Sequence, residues 1–280
     1  MPDRSGALPT FLIIGAGKSG TTSLWSWLNQ HPQIGMSAIK EPSFFSMDEV
    51  HARGADWYRR LFAAAADAPA RGEASNSYSA SETYPQTIDR IARLLEAPRF
   101  IYIVRHPRAR TESDWMQRNT LVPTGFAEFL RGDPLHADKN HYLRTYDRYA
   151  ARFGEASLLV LFHDDLVRAP EALLRRVCGF LGVDPDFAFD VAAAHGRTAE
   201  GRRFHFGLDR LRRLRAYTDL SLLLPEAVKA RLRGALSRPV TVARPVWSAE
   251  DAAWFRDRYE APSRAFLQRV GRDPGLWAWD

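Results

Sequence analysis

The stretch Thr10-Phe-Leu-Ile-Ile-Gly-Ala-Gly-Lys-Ser-Gly-Thr-Thr-Ser-Leu-Trp-Ser-Trp-Leu28 decides the fold. Phe11 to Ile14 is a short apolar run of β-forming side chains, suited to a strand buried in a parallel sheet. Gly15, Gly17 and Gly20 then give the backbone freedom to turn, and Leu24, Trp25 and Leu28 recur at helical spacing. A helix N-terminus presents unpaired N–H groups and the positive end of a dipole. Strand, glycine-rich turn and helix together therefore predict an anion cradle. Lys18 in the turn and the hydroxyls of Ser19, Thr21, Thr22 and Ser23 select a phosphate.

Neither standard nucleotide motif describes this cradle. Gly15-Ala-Gly-Lys-Ser-Gly20 matches G-x-G-x-x-G, and Glu41 lies at about the right distance for a ribose carboxylate. That reading needs a second hydrophobic strand ending at the acid, and Ile34 to Pro42 is a poor strand. The ATPase loop G-x-x-x-x-G-K-[ST] nearly fits at Gly17-Lys18-Ser19, but Leu12 stands where its first glycine belongs.

At 280 residues the chain is long enough for a large core, and one α/β domain with insertions is the expectation. Hydrophobic residues make up 45% and charged residues 26%, which excludes a disordered chain. Net charge is +6 and arginine supplies nearly all the cations, as suits forked recognition of phosphate, sulfate or carboxylate; a generic basic surface explains it equally well. The lone cysteine, Cys178, rules out an internal disulfide framework and reads as a small core residue. No apolar run of about 18 residues is present, and Met1 to Pro9 reads as a flexible, polar N-terminus rather than a signal peptide. A soluble cytoplasmic protein without an integral membrane segment is expected.

Further along, Asn29-Gln-His-Pro32 stops the first helix. Lys40-Glu-Pro-Ser-Phe-Phe45 has two readings: a loop that holds a carboxylate near the cradle, or a surface turn with a hydrophobic staple. Gly54 to Phe62 is amphipathic, Arg71 to Ser75 is a short strand leading into Asn76-Ser-Tyr78, and Pro85 to Leu95 is a helix. Arg99 to Val104 is a clear strand ended by Arg105-His-Pro107, with a helix after it. There Arg105 and Ser113 either converge on a second phosphate or serve as a carbonyl cap and a solvated helix residue. Phe126 to Leu130 and His141 to Phe153 read as helical. Leu158 to Phe162 is a third strand, with Asp164 and Asp165 as helix caps and a helix from Pro170 to Gly182. The histidines lack paired ligand spacing, so no metal is expected. Gly196 to Phe204 and Arg210 to Arg215 read as a solvated basic face, not a nucleic-acid site. Helical patterns follow at Pro225 to Leu236 and Ala249 to Val270, before Leu276-Trp-Ala-Trp279.

Taken together these pieces resemble the sulfotransferases that use 3′-phosphoadenosine 5′-phosphosulfate (PAPS), in the branch of heparan sulfate and bacterial carbohydrate sulfotransferases. The resemblance rests on Ile14-Gly-Ala-Gly-Lys-Ser-Gly-Thr-Thr-Ser-Leu24, on Ile103-Val-Arg-His-Pro-Arg-Ala-Arg-Thr-Glu-Ser-Asp-Trp115, and on the intervening Lys40–Phe45, Trp57-Tyr58 and Glu73–Tyr78. Val160 to Leu166 resembles the family's later strand-and-acid segment. It implies a single domain over 1–280: a central parallel β-sheet flanked by helices, in a P-loop-NTPase-like sulfotransferase fold. It further implies that Gly17, Lys18, Ser19, Gly20, Thr21, Thr22 and Ser23 hold the 5′-phosphosulfate, and that Arg105 and Ser113 hold the 3′-phosphate. Arg202 or Arg203 would supply a closing loop. Glu41 would be the general base, Lys18 would stabilise the leaving phosphate, and Lys40, Trp57 and Tyr78 would approach the acceptor. The product is 3′-phosphoadenosine 5′-phosphate (PAP), no metal is required, and the acceptor is a carbohydrate or small metabolite taken at a hydroxyl or amine. Ala74 departs from several sugar-directed relatives, which carry lysine there. A P-loop-like kinase and a non-catalytic nucleotide-binding protein are the alternative readings.

Overall fold

The computed structural model describes residues 7–192, 200–204 and 237–279. Its main sheet is built from β1 (Phe11–Gly15), β2 (Ile34–Met36), β3 (Ala70–Ala74), β4 (Arg99–Val104) and β5 (Leu158–Phe162), all parallel, in the order β2-β3-β1-β4-β5. β1 is therefore central. The chain leaves it toward β2 and β3 on one side and returns to β4 and β5 on the other, so the order reverses beside β1. Open parallel sheets bind ligands at that reversal, off the carboxyl ends of the strands.

Side chains alternate across a strand, and β1 uses both faces. Phe11 and Ile13 point into a core with Leu24, Trp27 and Leu28 of α1 (Thr21–Leu28) and with Leu173, Leu174, Val177, Cys178 and Leu181 of α10 (Pro170–Leu181). Leu12 and Ile14 point the other way. They meet Phe44 and Phe45, Tyr58 of α3 (Gly54–Arg60), Tyr142 and Tyr149 of α8 (Tyr142–Phe153), and Phe266 of α11 (Ala249–Arg269). Each fully buried aromatic or aliphatic side chain contributes about 1.5–3 kcal/mol relative to exposure. The loop that follows β1 thus starts from a strand held on both sides.

Helices α4 (Thr87–Leu94), α5 (Pro107–Leu121) and α6 (Phe126–Gly132) lie close to their expected places, and α2 (Asp48–His51), α7 (Pro134–Asp138) and α9 (His163–Arg168) are short helices not expected from the sequence. Pro107 opens α5 at its first turn, and α10 ends at Gly182 in the left-handed conformation.

Three expectations need correcting. Ile34–Met36, read as a poor strand, forms the short edge strand β2; it stops well before Glu41, so no strand carries that acid. Asp164 and Asp165 are not helix caps. Phe162 precedes α9 without a side-chain cap, and both carboxylates sit in the first turn, where the helix dipole favours them, with Asp165 paired to Arg272. Within the basic segment, Glu200–Phe204 forms β6, paired antiparallel with β7 (Ser237–Thr241), and its backbone lies against α5. The helices read around Arg210–Arg215 and Pro225–Leu236 lie outside the described residues, as does Met1 to Gly6.

Gly72 shows how tightly β3 packs on β1: a Cβ built there would lie 2.3 Å from the buried Phe11 ring. Gly72→Ala should lower stability by about 1–3 kcal/mol in denaturant titrations, the usual effect of overpacking a filled core.

Candidate active site

The cradle is assembled at the carboxyl end of β1. Gly15 has φ 134° and its Cβ position lies 2.5 Å from Ser79 Oγ, so only glycine fits there. Gly20 precedes α1 in the left-handed conformation with no side-chain cap, and the first turn of α1 holds no acidic residue. The first-turn amides of Thr21 and Thr22 have no intrahelical acceptor by helix geometry. Ser19 is fully buried, and among the described residues its hydroxyl oxygen, beside Tyr142, makes no hydrogen bond of good geometry. An uncapped helix N-terminus, a buried hydroxyl without a well-formed hydrogen bond and a lysine in the turn fit a phosphosulfate.

Lys18 sits in this turn with φ 70°. Burial lowers the pKa of its ammonium, and the nearby Lys40 and Arg105 lower it further, while Asp114 and Glu41 act in the opposite direction. Arg105, at the tip of β4, donates from Nη1 to the Lys18 carbonyl at 3.4 Å, and its own carbonyl accepts from the Tyr142 hydroxyl at 2.8 Å. Burial lowers the pKa of this guanidinium as well, and Arg244 adds to the effect. A cluster of partly desolvated cations is what an anionic ligand relieves.

Ser113 is buried in α5, one residue before Asp114. Burial opposes ionisation of Asp114, but the charges of Arg110 and Lys139 hold its carboxyl well below the usual range. Arg110, wholly buried, donates to Asp114 at 3.1 Å, to Asn140 Oδ1 at 2.6 Å and to His136 Nδ1 at 2.7 Å. His136 therefore accepts at Nδ1 and stays neutral, its pKa lowered to about 4 by burial. These contacts fix α5 and α7 beside the cradle.

Glu41 comes from the loop after β2, its side chain 41% accessible. Its Oε1 accepts from Lys40 Nζ at 2.6 Å and from Asn76 Nδ2 at 2.8 Å. The Asn76 side chain in turn lies 3.6 Å from the Cβ position of Gly17, which brings the carboxylate beside the glycine turn. Lys18, Glu41 and Ser43, with φ of 70°, 58° and 56°, are non-glycine residues in the left-handed region, and such conformations cluster at functional sites.

The structure thus brings together Gly17, Lys18, Ser19, Gly20, Lys40, Glu41 and Arg105, with Thr21, Thr22 and Ser23 on the first turn of α1. Trp57 stands apart from this group: it packs on Phe44, ring centres 6.2 Å apart, and lies beneath Arg53. Tyr78, read as an acceptor contact, is fully buried, with its hydroxyl engaged by Glu73 and by the Phe45 amide. It belongs to the scaffold under the Glu41 loop. The backbone of Arg202 and Arg203 is placed in β6 against α5, and their side chains lie outside the described atoms. Residues missed from the sequence are Arg244, within electrostatic reach of Arg105, and Lys139, within reach of both Glu41 and Asp114. Neither stands in a recognisable motif.

Comparison with known proteins finds sulfotransferases by sequence and by fold. Residues 78–187 match the model of a sulfotransferase family. Heparan sulfate glucosamine 3-O-sulfotransferase 5 of Mus musculus is 36% identical over 193 residues, 64% of this chain and 54% of the relative. Heparan sulfate glucosamine 3-O-sulfotransferase 3A1 of Mus musculus is 26% identical across 100% of this chain and 66% of the relative. The chain spans between half and two thirds of the length of these two curated relatives. A sulfotransferase from Alicyclobacillus acidocaldarius superposes with TM-score 0.68 at 23% identity, covering 98% of this chain and 99% of that one. The resemblance read in the sequence is present in both sequence and fold, and the parallel sheet with its flanking helices is the P-loop-like sulfotransferase fold.

Under the loop, burial raises the pKa of the Glu73 carboxyl to about 7, with a further push from Glu41, against hydrogen bonds from Tyr78, Ser75 and Tyr58. Tyr149 also faces it. A folded-state value above the unfolded one means that the native protein holds the extra proton between pH 4.5 and 7. The stabilisation is complete below about pH 4.5 and is lost as pH rises through 7. Relative to Glu73→Gln, the wild type should lose on the order of 3 kcal/mol of unfolding free energy across that window, measured by urea titration at each pH.

Proposed function

We propose that this chain, with its sulfotransferase fold and sulfotransferase relatives, transfers a sulfuryl group from PAPS to a hydroxyl, or an amine, of a carbohydrate or small-metabolite acceptor. The observation that carries the reading is the meeting of Lys18 and Glu41 at the end of β1, both left-handed, with Asn76 linking the carboxylate to the glycine turn. When bound, PAPS supplies the transferable sulfuryl group and a phosphate leaving group.

The roles of the residues follow from their placement. Amides at the start of α1 and the buried Ser19 hydroxyl hold the 5′ end, and the Lys18 ammonium offsets charge that builds on the departing oxygen. Arg105 and Ser113, on the strand and helix to the other side of β1, hold the 3′-phosphate. Arg244 is the closing arginine favoured here over Arg202 and Arg203, because it already acts on Arg105. Glu41, half exposed toward the acceptor side, takes the proton from the attacking group. Lys40 shares Oε1 with Asn76, which leaves Oε2 to receive that proton. An acceptor built on glucosamine is the first to try, because the curated relatives named above are glucosamine sulfotransferases.

PAP should raise the melting temperature without Mg²⁺, while ATP and NADH should not; saturation a hundredfold above Kd corresponds to about 2.7 kcal/mol. A Mg²⁺-dependent shift with ATP alone would support a kinase-like protein instead. With radiolabelled PAPS and a panel of glucosamine-containing oligosaccharides, Glu41→Gln should reduce transfer by about 10² to 10⁴ while PAP affinity in calorimetry is unchanged. Arg105→Ala should do the reverse, weakening PAP first.

A further inference from the structure

The loop that carries Glu41 is held from below by a single buried acid. Glu73, at the end of β3, is wholly inaccessible to solvent. Its Oε2 accepts from Ser75 Oγ at 2.7 Å, and its Oε1 accepts from the hydroxyls of Tyr78 at 2.6 Å and Tyr58 at 3.1 Å. Burial keeps both phenols protonated far above neutrality, so they can serve as donors.

Direction follows from chemistry. An ionised carboxylate only accepts, so each hydroxyl commits its hydrogen to Glu73 and presents lone pairs elsewhere. Those lone pairs meet the Glu41 loop. Ser75 Oγ accepts from the Ser43 amide at 2.9 Å, and the Tyr78 hydroxyl accepts from the Phe45 amide at 3.3 Å. Between these straps, Ser77 joins Ser43 and Ser46 through their hydroxyls, and the Glu41 amide donates to the Ala74 carbonyl at 3.0 Å. Residues 41, 43 and 45 are thus each tied to the segment 73–78. Two of the three backbone-amide ties pass through hydroxyls oriented by one carboxylate.

We propose that Glu73 is a positioning residue: its carboxylate orients Ser75 and Tyr78 as acceptors for the Ser43 and Phe45 amides, and so holds Glu41 at the glycine turn. The proposal rests on the reading of Glu41 as the base, but the relay itself is open to test without turnover. Ser43 is left-handed, and a non-glycine residue keeps that conformation only where its surroundings enforce it. The Ser75 tie lies on that residue's own amide.

Amide hydrogen exchange of the full chain, read by NMR at pH 8 where the carboxylate is ionised, tests the relay. Ser75→Ala should speed exchange at Ser43 by at least about tenfold and leave Phe45 unchanged; Tyr78→Phe should do the opposite, each removing one net hydrogen bond. Glu73→Gln keeps the shape but accepts at one position only, so one of the two amides should exchange faster while the Glu41 amide stays protected. PAP affinity in calorimetry should be unchanged in all three variants. Unchanged protection at both Ser43 and Phe45 in Glu73→Gln would overturn the proposal. So would acceleration across the whole chain, or loss of PAP affinity, either of which marks general damage. Glu41→Gln reports separately on the base: full transfer activity in that variant, with the exchange pattern intact, would sink the reading of Glu41 and leave the relay standing.

Discussion

β1 is buried along its whole length and on both faces, and the rest of the structure depends on that constraint. A strand packed by α1 and α10 on one side and by α3, α8 and α11 on the other cannot shift without opening two cores. The turn after it is fixed in the same way, because Ser79 fills the space above Gly15 and leaves no room for a side chain. The anion cradle is therefore preorganised: its amides face one direction before any ligand arrives, which is the condition under which fixed dipoles are most effective at stabilising developing charge.

The same rigidity brings positive charges together. Lys40 and Arg105 both act on Lys18 at the mouth of the cradle, and Lys18 and Arg105 are partly desolvated. Asp114, held ionised by Arg110 and Lys139, is the counterweight within the protein. Burial opposes Arg110, yet every side of its guanidinium finds an acceptor, as a buried charge requires. With Lys40 paired to Glu41, the layout leaves Lys18 and Arg105 as the partly desolvated cations facing the turn.

Much of this was legible in the sequence because it is local. Strand, glycine turn and helix occupy consecutive residues, so spacing marked the cradle; Arg105 through Ser113 form another such unit, whose reading as a second phosphate site came from the family resemblance. Pro107, Pro170 and Gly182 marked helix ends for reasons of backbone geometry that hold in any fold. What spacing could not show is contact between distant segments. Tyr78 looked like an acceptor contact because it follows a strand end, but three-dimensional packing turns it inward onto Glu73. Arg244 and Lys139 reach the site only through tertiary structure. β2 was underrated because a three-residue edge strand is held by its pairing to β3, and its own side chains carry little signal.

The reversal of strand order beside β1 has one more consequence. The nucleotide side of the proposed site is drawn from β1, β4 and their following helices, whereas Glu41, Lys40 and Asn76 come from the β2 and β3 edge, anchored on Glu73. The two halves share one sheet and one core, but their polar groups come from different loops that meet at the glycine turn. Such a division makes the molecule modular in an evolutionary sense. The segment between α1 and α4 can be remodelled to admit a new acceptor while the donor half stays intact, provided that the buried acid beneath the loop is kept.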